Sequence, residues 1–71
     1  MSTAWRITLA SPPDRDKLVA EIFLGDQQWA EINQEKEVLE VEFYSRSDGE
    51  PWRIALPDAF AALREAEKLL K

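Results

Sequence analysis

"KLVAEIFLGDQQWAEINQ" (residues 17–34) decides how the rest of the chain reads. Leu18, Ala20, Ile22 and Leu24 occupy alternate positions, the two-residue period of a strand with one apolar face. Gly25-Asp26 then supplies a tight turn, because glycine accepts the positive φ that a two-residue hairpin requires. On the return, Ala30 and Ile32 are set inward and Trp29, Glu31 and Asn33 outward. An antiparallel pair of strands over about 18–24 and 28–34 follows, with an aliphatic face and a polar, aromatic face.

Strands are predicted on both sides of this hairpin. "EVLEVEFYS" (37–45), after a turn at Glu35-Lys36, sets Leu39, Val41 and Phe43 against Glu40, Glu42 and Tyr44. Before the hairpin, residues 4–10 place Trp5, Ile7 and Leu9 on one side. Ser11-Pro12-Pro13-Asp14 ends that strand, since two prolines cannot donate to a ladder; a short helix over 11–17 is the competing reading. Asp48-Gly49 is a hairpin signal leading into a fifth strand at 51–56, with Trp52, Ile54 and Leu56 together. Trp-Arg-Ile thus occurs at 5–7 and at 52–54, and both copies read as inward packing rather than as a repeated binding motif.

The period changes at Pro57, which suits a first helical position, while Asp58 suits the positive end of the helix dipole. Ala59, Ala62, Leu63, Ala66, Leu69 and Leu70 form a stripe at helical spacing, which predicts a helix over 57–70. The fold class expected is α+β: an antiparallel β-meander of four to five strands packed against one C-terminal α-helix. Seventy-one residues are enough for one domain, 1–71.

Composition removes several chemistries. There is no cysteine for a disulfide and no histidine for a transition metal or for activating Ser2, Ser11, Ser45 or Ser47 as a nucleophile. Two glycines cannot make a phosphate-binding loop. A pair of carboxylates remains formally able to hydrolyse a substrate, but needs a deep cleft that a small sheet rarely supplies. The protein is therefore read as not an enzyme, with no catalytic residue and no cofactor. Fourteen acidic against nine basic residues, net charge −5, disfavour nucleic acid and anionic lipid and favour a cationic partner. With no leader-like N-terminus and no long apolar run, a cytoplasmic location without membrane contact is expected.

The outer sheet face carries the remaining signal. Glu21, Glu31, Glu40 and Glu42 point away from the helix, together with Val19, Phe23, Trp29 and Tyr44. In simple meander order Arg6 lies beside Glu21 and Arg53 beside Glu42. Three readings are open: a solvated face with compensating ion pairs, a protein-binding surface, and a divalent-cation site. The cation site is disfavoured, because glutamates spread over a flat sheet converge poorly, and no metal ligand is assigned. The protein-binding reading takes Phe23, Trp29, Glu31, Glu40, Glu42 and Tyr44 as contact residues. Its partner is another protein, a basic one being the complement of the acidic face, or a second copy in a homodimer.

Short acidic strands, the "DGEPW" turn (48–52) and the "PDAFAALREAEKLL" segment (57–70) resemble small acidic uncharacterised bacterial proteins. Some of these resemble the immunity and antitoxin proteins of toxin–antidote systems. That resemblance implies a non-catalytic inhibitor that caps a basic toxin, and it transfers no individual residue.

Overall fold

The alternating segments pair in the order in which they are made. The computed structural model describes residues 5–70. It shows β1 (Trp5–Ala10), β2 (Val19–Leu24), β3 (Gln27–Asn33) and β4 (Glu40–Phe43) in one antiparallel sheet of order β1-β2-β3-β4, followed by α1 (Leu56–Leu69). Leu24 faces Gln27 across the two-residue turn, in which Gly25 has φ 65° and no non-glycine residue has positive φ. That combination is the pattern of a type II′ hairpin, in which glycine holds the first central position.

Directly opposed residues share a face, so the register builds rows across the sheet. Ile7, Ile22, Ala30 and Phe43 form one row on the helix side, and Leu9, Ala20, Ile32 and Val41 form the next. The helix lies over β1 and β2. Ala62 and Ala66 are its buried residues, flanked on the core by Ala59, Leu63 and Leu70. Small side chains at the contact bring the helix axis close to the strands. Leu69, assigned to the same stripe, is exposed instead. Pro57 in the first turn, Asp58 near the start and Lys68 near the end agree with the dipole.

Residues 11–17 form a turn and loop rather than the competing short helix, with the Arg15 N–H donating to the Pro12 carbonyl at 3.1 Å. Two expectations need correcting. The fourth strand is four residues long rather than nine, and Val38 is exposed. The fifth strand is absent, because residues 51–55 make no ladder. Pro51 has no N–H to offer, and the Trp52 indole donates to the Tyr44 carbonyl at 2.6 Å, tying this strap down through a side chain. Asp48 steadies the preceding loop by accepting the Glu50 N–H at 3.0 Å and the Arg46 guanidinium at 2.6 Å. Those bonds, the backbone one foremost, hold its carboxyl below the usual carboxylate range. Trp52 and Ile54 still pack on the core, so both Trp-Arg-Ile copies point inward, one from a strand and one from an irregular strap.

The largest departure is Trp29. Ile22 faces Ala30, whereas Phe23 faces Gln28, which leaves Trp29 as the extra residue of a β-bulge. A bulge re-aims a side chain that strict alternation would send to the other face. The Trp29 ring accordingly joins the core at 7% exposure, with its centroid 5.3 Å from Trp5 and 5.3 Å from Phe43, both helix-side residues by register. The outward placement of Trp29 is thereby overturned.

Trp29→Ala is expected to lower unfolding free energy by about 3–5 kcal/mol, the range for truncating a buried aromatic. In a domain this small that leaves little or no folded population. Urea unfolding followed by far-UV circular dichroism measures it; a loss under about 1 kcal/mol would return Trp29 to the surface.

Candidate functional site

Two surfaces are candidates. The first is the outer sheet face, where Thr8, Glu21, Glu31 and Glu42 form a single cross-strand row. Three carboxylates directly in line repel one another. The loop between β1 and β2 answers this by folding across the face, and the guanidinium of Arg15 reaches Glu31 at 3.1 Å and Glu42 at 2.5 Å. Gln34 fastens the same loop by donating to the Leu18 carbonyl at 2.9 Å. Beneath this cover Val19, Glu31 and Asn33 are buried, although all three lie on the side away from the helix. Part of the outer face is therefore interior.

The residues expected to contact a partner are dispersed by this arrangement. Phe23 is half-buried under Arg6, whose guanidinium sits 4.4 Å above the ring in a cation–π contact. Arg6 faces Phe23 rather than Glu21, and Arg53 lies on the strap and not in a flanking strand. Trp29 is in the core. Glu31, at 6% exposure, is paired with Arg15 and accepts a 3.4 Å hydrogen bond from the Tyr44 hydroxyl. Only Glu40 and Glu42 are exposed, Glu40 beside Lys36 at 3.5 Å. Tyr44, half-buried, has its phenol pKa raised, first by burial and then by the negative charge of Glu31. The guanidinium of Arg15 is held charged, with its own pKa raised chiefly by the hydrogen bond to Glu42.

The second surface lies on the helix side. Because α1 covers β1 and β2, an open groove of about 310 Å³ remains between the helix and β4. Ile32, Leu39 and Val41 form its floor and Phe60 and Leu63 its helix wall, with Glu40 and Arg64 on the rim. Phe60 is 61% exposed and Phe43, beside Val41 on the same strand, is 58% exposed. Ile32, Leu39, Val41, Phe43 and Leu63 were read from the sequence as core-facing and Phe60 was not read, yet a signal for an uncovered ridge existed. Leu56, Phe60 and Leu63 recur at helical spacing beside the alanine stripe, a second apolar ridge on one helix. Arg15 also had a signal, as a lone guanidinium in a charged loop next to strands rich in glutamate.

Among the described residues no group of three or more carboxylates is placed to hold a metal ion. Among them, too, no helix is long and apolar enough to cross a membrane. Comparison with protein-family models, curated proteins and solved structures finds no match to this chain.

The protein has one tyrosine, so its phenolate absorbance reports Tyr44 alone. Its titration midpoint is expected above the ordinary 10.0 in the folded chain and at the ordinary value in urea. Below that pH both states keep the proton; above it the unfolded chain releases its proton first, so stability declines as pH rises. Arg15→Gln moves the folded midpoint further up, because a nearby cation favours the phenolate. A folded midpoint at or below 10.0 would refute the contact between Tyr44 and Glu31.

Proposed function

We propose that this protein is a non-catalytic interaction module that holds a protein partner in the groove between α1 and β4. One observation carries the reading: Val41 and Phe60, both exposed, line one open groove together with Leu39 and Leu63, and the exposed Phe43 follows Val41 on the same face of β4. Exposed apolar residues scattered singly need no explanation, whereas a contiguous patch marks a contact site. Burying each such side chain against a partner supplies about 1.5–3 kcal/mol. The outer face serves this role less well, since its buried carboxylate already has an internal counter-ion and its tryptophan is in the core.

Net charge −5, with Glu40 at the groove rim, supports a basic partner. Inhibition of a basic toxin is the more specific form of this reading, and fast association that weakens with salt is its kinetic signature.

Phe60→Glu and Glu21→Lys separate the two faces, both being at positions outside the buried core. A partner co-purified from the native cells, and then rebuilt from two purified proteins, is expected to lose at least tenfold in affinity with Phe60→Glu. It should retain affinity within about threefold with Glu21→Lys, and both variants should melt close to the parent. Unchanged binding by Phe60→Glu places the contact elsewhere.

A further inference from the structure

We propose that the partner engages this groove as an extended segment, which pairs with the free edge of β4 and becomes a fifth strand, with apolar and cationic side chains in alternation. The inference rests on the groove reading above and adds the geometry and chemistry of the occupant.

The backbone of β4 is set up for such an addition. β4 ends the sheet, and among the described residues no ladder lies on its outer side. The Tyr44 N–H donates to the Trp29 carbonyl at 2.9 Å, so the Tyr44 N–H points toward β3. Backbone groups alternate along an antiparallel strand, so Glu42 and Glu40 also turn toward β3. Val41 and Phe43 therefore direct N–H and C=O to the open edge. The fifth strand that would have covered them is missing, because the chain leaves β4 through the 45–50 loop and crosses to the helix as a strap.

Side-chain chemistry then selects the occupant. On the helix side, alternate residues of an added strand lie beside Val41 and Phe43 and reach the groove walls at Leu39, Phe60 and Leu63. On the outer side, the intervening residues stand next to Glu40 and Glu42, whose side chains are 48% and 47% exposed. Glu42 belongs to the row with Glu21 and Glu31, in which one guanidinium bridges two of three carboxylates. That row is left net negative, and lysine or arginine in the added strand offsets it. A second copy fits poorly by the same measure. Antiparallel pairing of two β4 strands sets Glu40 and Glu42 of each copy on one face, a like-charge arrangement of the kind that blunts sheet edges.

The test uses the full chain, labelled with ¹⁵N, and a capped synthetic octapeptide of alternating lysine and valine; a glutamate–valine octapeptide of the same length is the control. Amide exchange at Val41 and Phe43 is expected to slow about tenfold at a peptide concentration ten times Kd, since only the unoccupied edge exchanges. Val41→Pro removes one outward N–H while sparing the β3–β4 ladder, as proline on an edge strand does, and is expected to abolish binding. Glu40→Lys changes only an exposed side chain and should weaken binding roughly threefold or more. Strand addition is overturned by any of four results: no lysine–valine binding, equal binding of the glutamate–valine peptide, protection at other amides, or parent-like binding by both variants. If the peptide fails while Phe60→Glu still abolishes partner binding, strand addition is wrong and the groove reading stands. If Phe60→Glu has no effect on the partner, the groove reading itself falls.

Discussion

One helix is too narrow for the sheet it covers, and most of the architecture follows from that mismatch. A helix with its side chains is about 10 Å across, and four strands spaced about 4.8 Å apart present a wider face. α1 therefore settles over β1 and β2, with Ala62 and Ala66 against the strands. The rest of the helix-side face must be filled by other means. The bulge in β3 swings the Trp29 ring inward between Trp5 and Phe43, and the strap after β4 contributes Trp52 and Ile54. Aromatic rings are the bulkiest fillers available, and edge-on contacts at about this spacing add stabilisation beyond area alone. What they fail to fill is the groove along β4. The same shortage of cover thus explains a buried tryptophan, an irregular strap and an exposed apolar cleft.

The outer face meets a different constraint. Alternation that puts aliphatic residues under the helix also lines up Glu21, Glu31 and Glu42 on the opposite side. The loop from Ser11 to Leu18 resolves this by folding over the sheet and placing Arg15 between two of the three carboxylates. Its prolines shorten the list of conformations the loop can adopt, which favours a fixed path over an open one. Tyr44 completes the cluster by donating to Glu31. Charges that look like a recognition surface when read along the strands are therefore largely internal bonding. Glu40, beyond the reach of Arg15, stays at the rim of the groove, where it bears on the choice of partner.

Legibility followed the range of the interactions. The β2–β3 hairpin, the existence of β1 and β4, the C-terminal helix and its alanine stripe all arise from local period, turn chemistry and dipole preference, and each was readable to within a few residues. The inward packing of Trp52 and Ile54 was readable too, because alternation survives even where no ladder forms. Trp29 was misplaced because a single bulge shifts the register by one, which reverses the face of the residue at that point. Of the six residues read as partner contacts, Glu40 and Glu42 keep the exposure that reading requires. Phe23 and Tyr44 are half-covered, and Trp29 and Glu31 are enclosed.

By itself, then, the sequence determined the four strands and the helix, their antiparallel meander, the aliphatic face of β1, β2 and β4 and the net negative charge. These depend on neighbours a few positions apart and on composition. Only the tertiary structure decided which side chains are left in water. That outcome depends on where a bulge falls, which strands one helix can span, and how far a loop reaches across the sheet. Each of those is a competition between residues distant in the chain, settled by packing and by the pairing of Arg15 with Glu31 and Glu42.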